Sequence, residues 1–232
     1  MVEIKGIEKF SSRDFPGHIS STVFLGGCTF RCPYCHNADL VLRPETIPSL
    51  AADYFLSYLD GRKGWLEAVC FTGGEPLLHE DLEELIRVAR ERGLLVKIDT
   101  NGSFPDRLEA FLALGLVDRV AMDIKAPLER YREVTRSNID LERIVRCADL
   151  LRDSGVKHTF RTTVVPGLVG KDDVVKIGEW LNGAAHYVVQ QFVPQTTIDP
   201  AYLEVKPFGR AELEEIAAAA RPYFVEVGIE SP

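Results

Sequence analysis

Cys28, Cys32 and Cys35 fall within a short stretch at the spacing Cys-x3-Cys-x2-Cys. Thiolates this close in sequence converge only where the chain curls around a common point, and Gly26, Gly27 and Pro33 suit such a loop better than a regular helix. An iron–sulfur cube that only carries electrons is normally closed by four cysteines. Three leave one iron without a protein ligand, free to take a substrate or cofactor, so the spacing points to catalysis. Other chemistries stay open on these residues alone. Zinc could be held by the three cysteines and His36, although structural zinc ligands usually come as two separated pairs. Cys32-Pro33-Tyr34-Cys35-His36 matches the haem attachment pattern, but no secretory leader is evident, Cys28 goes unexplained, and Met1 and Met122 are the only methionines. A thioredoxin-like dithiol also leaves Cys28 without a role.

A second set of reactive residue types lies further along. Thr72-Gly73-Gly74-Glu75-Pro76, Asp99-Thr100-Asn101-Gly102 and Asp123-Ile124-Lys125 each follow an apolar run, and Arg161 interrupts another. Parallel α/β folds place their sites at the carboxyl ends of strands. Singly, Gly-Gly-Glu and Asp-Thr-Asn-Gly are turn chemistry, Asp123 and Lys125 could be a strand-end ion pair, and Arg161 could pair with a helix. Jointly they gather charge where a site belongs. Side chains two apart on a strand share a face, so Asp123 and Lys125 can meet one ligand. A guanidinium fork suits a carboxylate.

Cys-x3-Cys-x-aromatic-Cys, with Tyr34 as the aromatic, resembles the signature of the radical S-adenosylmethionine (SAM) enzymes, and the following Cys-His-Asn resembles the glycyl-radical-enzyme activases among them. The resemblance implies that Cys28, Cys32 and Cys35 hold a [4Fe-4S] cluster whose fourth iron is chelated by SAM, which is cleaved reductively to give a 5′-deoxyadenosyl radical. It implies SAM contacts from Tyr34, from the bare backbone of Gly73 and Gly74, and from Glu75 at the SAM amino group. Asp-Thr-Asn-Gly followed by Met-Asp-Ile-Lys is similar to the pattern in pyruvate formate-lyase activating enzymes. By that likeness Asp99, Thr100 and Asp123 build a monovalent-cation site, Asp123 and Lys125 line the SAM pocket, Arg161 reaches the SAM carboxylate, and Val165 and Pro166 lie on the adenine side.

The chain departs from the pyruvate formate-lyase type at Gln190-Gln191-Phe192-Val193-Pro194-Gln195, where that type carries a histidine, so Gln191 could face the pocket or hold backbone. Gln-Gln-Phe-x-Pro, with Lys9-Phe10-Ser11 and Asp14-Phe15-Pro16-Gly17, resembles the activating proteins of anaerobic ribonucleoside-triphosphate reductase. The expected function is therefore to generate a glycyl radical on that reductase, fed by a low-potential donor such as flavodoxin or ferredoxin. A radical SAM enzyme acting on a small molecule or nucleoside shares every residue named. A non-catalytic iron–sulfur or zinc protein is the reading from another class.

These residues need elements to position them. After extended segments over 4–10 and 19–25, apolar periodicity alternates between helix and strand. Helices are expected over 50–59, 80–92, 106–114, 141–153, 172–182 and 210–220, and strands over 68–72, 94–100, 119–124, 157–165, 187–193 and 223–227. Sustained βα alternation predicts a mainly parallel sheet flanked by helices. Roughly six units are too few for a closed eight-stranded barrel, which predicts a partial, laterally open (βα)6 barrel, the core that the resemblance also implies. One domain over 1–232, with a short extended segment at 1–18, is the natural division for this length.

Composition adds exclusions. Five cysteines, three of them clustered, do not form a disulfide framework. Cys70 and Cys147 sit in apolar patterns and read as small buried hydrophobes. No apolar run approaches the roughly 18 residues of a membrane span, and a cytoplasmic location is expected. A net charge of −8 without Lys/Arg runs makes the chain a poor generic nucleic-acid binder. His18, His79, His158 and His186 are read as surface or structural.

Overall fold

The strands expected from the apolar periodicity build one sheet. The computed structural model describes residues 3–231, apart from the side chain of Ala52. Its strands are β1 (Ile4–Ser11), β2 (Ser20–Leu25), β3 (Ala68–Gly73), β4 (Leu95–Thr100), β5 (Arg119–Asp123), β6 (Lys157–Val164), β7 (His186–Gln191) and β8 (Glu226–Glu230). They form a single 8-stranded sheet in the order of the sequence. β1 is antiparallel to β2, and every later neighbour is parallel. β1 and β8 are therefore the two edges, and the sheet is an open, partial barrel as expected.

Helices α1 (Ala38–Leu42), α2 (Ala52–Asp60), α3 (Leu82–Glu91), α4 (Pro105–Ala113), α5 (Tyr131–Thr135), α6 (Leu141–Asp153), α7 (Lys171–Trp180) and α8 (Arg210–Ala220) supply the crossovers. The apolar faces of α2 to α4 and α6 to α8 pack on one side of the strands, whereas Val41 of α1 borders the cavity. Val96 and Ile98 of β4, Val120 and Met122 of β5, and Phe160 and Val164 of β6 join that core. The period of two sends the residues between them to the opposite face. That face carries Asp99, Asp123, Arg161 and Thr163, which border a cavity. One alternation thus buries an apolar shell outside and a charged lining inside.

Beyond shifts of one or two residues at other element ends, the elements differ from the expectation in three places. The last strand begins at Glu226, not at Tyr223. After α8 the chain is still turning, with Tyr223 N–H donating to Ala220 O, and pairing toward β7 begins only where Val225 N–H reaches Ala184 O. Phe224, whose apolar character suggested strand, instead stacks on Tyr187 with ring centroids 4.3 Å apart. β7 stops at Gln191, so Phe192 and Val193 lie beyond it. The short α1 and α5 were not expected, because five residues are too few to display a helical period.

Candidate active site

The cysteine loop leaves the end of β2 and is braced by the turn that follows β3. Gly74 N–H donates to Leu25 O and Glu75 N–H to Gly27 O, both at 2.8 Å. The Asn37 side-chain amide donates to Gly73 O at 2.8 Å. Contact this close requires glycine. A Cβ on Gly74 would lie 1.8 Å from Gly27 O, and one on Gly73, whose φ is +114°, would lie 2.4 Å from Leu25 O. His79 Nε2 bonds Gly26 O at 2.7 Å. The Gly-Gly pair thus clamps the chain just before Cys28, a role that the sequence reading did not give it.

Cys28, Cys32 and Cys35 all border one cavity of about 810 Å³. Burial pushes the Cys28 thiol up to about 11 and Cys32 up to about 12, and it raises Cys35 as well. Cys28 Sγ accepts from Phe30 N–H at 3.4 Å and from the Asn101 amide at 3.5 Å. Among the described residues, no three or more His, Cys, Asp or Glu side chains are grouped to hold a metal ion. The thiols share a cavity without converging on a point, unlike a mononuclear zinc site.

Tyr34, Gly73, Gly74, Asp99, Thr100, Asp123, Lys125 and Arg161 border the same cavity, so the structure brings together almost all of the expected cofactor residues. Their charges interlock. Asp123 Oδ1 accepts from Arg161 Nε at 2.9 Å and Oδ2 from Lys125 Nζ at 3.0 Å, while Arg161 Nη1 reaches Asp99 Oδ2 at 3.2 Å. Burial pulls the Asp123 carboxyl upward, but Arg161 and Lys125 outweigh it and hold the group at about 2. Burial likewise opposes the charge on Lys125 and Arg161, and the carboxylates overcome it and raise both. Tyr34 OH is buried without a partner, and its ring meets Phe192 edge-on at 6.5 Å.

Glu75 is the exception. Its side chain is fully buried and takes no part in the cavity lining. Leu77 N–H and Thr100 Oγ1–H donate to its Oε1 at 3.0 and 2.8 Å, and Asn101 N–H donates to Oε2 at 2.6 Å. Burial pushes this carboxyl up to about 7 against the pull of those donors. Glu75 therefore ties the end of β4 to the turn after β3 instead of facing a ligand. Val165 and Pro166 also lie outside the lining, because Val165 N–H bonds Val169 O in a tight turn at 2.9 Å. Gln191 does both things weighed for it. It borders the cavity, and its amide donates to Phe208 O at 2.6 Å.

The sequence reading missed Asn37, Asn101 and Lys97. Asn37 and Asn101 could have been suspected from their positions directly after motif residues. Lys97 gave no signal, since a lysine in a strand reads as a solvent-facing residue.

The expected cofactors fit this lining. Three thiols, bare Gly-Gly backbone, an unpaired phenol and a guanidinium–ammonium pair surround one space of suitable size. The expected alkali cation does not fit, because the carboxylate oxygens proposed for it already face Lys97, Lys125 and Arg161.

Comparison with known proteins agrees. The radical SAM superfamily matches residues 22–181. A Methanocaldococcus jannaschii protein, provisionally named a glycyl-radical enzyme activating enzyme, is 32% identical over 97% of this chain and 95% of its own length. The pyruvate formate-lyase-activating enzyme of Streptococcus mutans is 30% identical over 84% of this chain and 78% of its own. Among solved structures, Streptococcus suis SuiB bound to S-adenosylmethionine shares the fold with a TM-score of 0.66 at 15% identity, over 88% of this chain and 48% of that longer one. A domain of pyruvate-formate lyase-activating enzyme from Bacteroides vulgatus gives 0.53 at 15% identity, over 71% and 99%. Enzymes of this superfamily use a [4Fe-4S] cluster and S-adenosylmethionine. The chain belongs to the radical SAM superfamily and, within it, to the glycyl-radical-enzyme activating enzymes.

Proposed function

We propose that this protein installs a glycyl radical on an anaerobic ribonucleoside-triphosphate reductase, in the cytoplasm, with electrons from a flavodoxin or ferredoxin. The observation that carries the reading is the placement of all three cysteines and the Asp123–Lys125–Arg161 group on one cavity that both sheet edges also border, through Glu8 and Phe10 of β1 and Glu230 of β8. A glycine on a partner protein needs such a lateral opening. The cavity is also lined by Ser11, Arg13, Asp14, Gln190, Phe192 and Gln195. Apart from Arg13 and Gln195, which adjoin them, these fall within the segments whose sequence favours the reductase as partner.

Cys28, Cys32 and Cys35 would hold the cluster. When bound, the cluster and SAM supply an electron and a carbon-centred radical that can take hydrogen from a glycine Cα. The chain's own work is orientation and exclusion. Asp123 keeps Lys125 and Arg161 charged and fixed, so positive donors face a carboxylate without rearrangement. Tyr34 and Phe192 present an apolar wall that keeps water from the reacting centre. No side chain is required as a general base. We propose one folding unit, since the two ends of the sheet complete one cavity.

A pyruvate formate-lyase partner is the second reading, favoured by the name of the Streptococcus mutans relative. Anaerobically reconstituted protein, SAM, a strong reductant and each candidate enzyme, followed by electron paramagnetic resonance, separate the two. A glycyl doublet on the reductase is expected. A doublet only on pyruvate formate-lyase would replace the proposed partner. Changing Cys28, Cys32 or Cys35 to alanine should remove stoichiometric iron and sulfide together with 5′-deoxyadenosine release.

A further inference from the structure

The activases with this motif pattern are expected to use Asp99, Thr100 and Asp123 for a monovalent cation, and the structure gives those oxygens other partners. Asp99 Oδ1 lies 2.7 Å from Lys97 Nζ as an ion pair, without hydrogen-bond alignment, and Oδ2 accepts from Arg161 Nη1 at 3.2 Å. Asp123 gives its two oxygens to Arg161 and Lys125 at 2.9 and 3.0 Å. Thr100 Oγ1 donates to Glu75 and accepts from Gly102 N–H at 3.1 Å. Two carboxylates are thus already met by three fixed cations. An alkali ion entering here would have to displace ion-paired ammonium or guanidinium groups and add a further positive charge to a buried cluster, where uncompensated charge is costly.

Lys97 is the residue that makes the difference. It lies two positions before Asp99 on β4, so both side chains fall on the inner face. Its register partner on β3 is Cys70, whose Sγ lies 3.8 Å from Nζ. Lys97 is buried and does not border the cavity, whereas Asp99 does. Its ammonium therefore approaches the carboxylate from beneath, out of reach of solvent and ligand. Cys70, read from sequence as an inert apolar residue, is the soft floor under that ammonium.

We infer that the Lys97 ammonium takes the place of the alkali cation, so that this enzyme organises Asp99 for SAM binding with a tethered charge and needs no free monovalent ion. Lys97 is a positioning residue, since it touches Asp99 and not the ligand. The inference rests on the SAM-binding reading of the cavity and is independent of which partner receives the radical.

Isothermal titration of SAM into cluster-loaded protein tests it, comparing potassium chloride with tetramethylammonium chloride at equal ionic strength. The wild type should bind with the same affinity in both, within about twofold. Lys97→Met should bind about tenfold more weakly in tetramethylammonium and recover most of that loss in potassium, the factor expected when one charge facing a buried carboxylate is lost. A purely structural lysine would give a loss that potassium does not relieve, which overturns the inference. So does a wild type whose affinity falls about tenfold when alkali ions are withdrawn, a result that stands even if the variant does not fold. Thermal midpoints of both proteins without SAM give a second readout. A potassium-dependent rise confined to Lys97→Met is expected, and a rise in the wild type counts against it.

Discussion

The site contains two buried carboxylate regions that solve the same problem in opposite ways. At the turn after β3, Glu75 is surrounded by neutral donors, two backbone N–H groups and one hydroxyl. On the cavity floor, Asp99 and Asp123 face Lys97, Lys125 and Arg161. Neutral donors do not fully offset burial, and Glu75 titrates at about 7, whereas the floor cations hold Asp123 at about 2. The turn is therefore a mechanical tie sensitive to mild pH, and the floor is a permanently charged surface. The difference teaches that one carboxylate of a motif can serve the scaffold while its neighbours line the cavity.

The sharpest way to break this contrast is Arg161→Met, which strips one cationic partner from both floor carboxylates. Leaving buried charges uncompensated should cost about 3–5 kcal/mol. Urea unfolding should register a large fall in the midpoint, and SAM affinity should fall with it. Gly74→Ala acts on the turn. Its new methyl would meet the Gly27 carbonyl at 1.8 Å, and because the obstacle is backbone the loss should be about 3 kcal/mol, with poorer cluster incorporation measurable as iron per chain.

Glu75→Gln separates the two regions more finely. Its amide must place an N–H against either Asn101 N–H or the donors at Oε1, which should cost about 2 kcal/mol with the floor unaltered. The pH dependence has a definite sign. Glu75 has a folded value of about 7 against an ordinary 4.5, so between those values the folded state holds a proton that the unfolded state has released. Its contribution to stability is full below 4.5 and is lost as pH rises through about 7. The wild type should therefore lose stability faster than Glu75→Gln over this window, by up to about 1.4 kcal/mol per pH unit, in parallel chemical denaturation series. Equal slopes would mean that the carboxyl stays ionised throughout. The smallest effect on the cluster is expected from Asn101→Ala, which removes one N–H···S contact to Cys28 along with the side-chain bonds to Thr29 and Ser103. Donors to cluster sulfurs stabilise the reduced state, so the midpoint potential should move slightly negative in a spectroelectrochemical titration.

The regions also differ in how much of them could be read from sequence. The βα alternation, the cysteine loop and the strand-end polar residues were legible because each leaves a local mark: a period, a spacing, or charge in an apolar run. Glu75 carried that mark without showing which way its side chain turns, and Lys97 reads as an ordinary strand lysine. Whether Glu75 turns toward the cavity or into the core depends on where Thr100 and Asn101 arrive from the next strand. Lys97 looks like any strand lysine until the curl of the sheet encloses its side. The start of β8 was misplaced for a similar reason. Phe224 is apolar because it stacks on Tyr187 in the packing that precedes the strand, and burial alone does not distinguish the two settings.

Strand order carries a last consequence. Because neighbours in space are neighbours in sequence from β1 to β8, the wall curls like an unfastened cuff whose two hems, more than two hundred residues apart along the chain, border a single gate. The charged floor belongs to the middle strands and the gate to the outermost ones. Evolution can therefore retailor the hems for a new protein client while the charged floor, remote from both, keeps its chemistry.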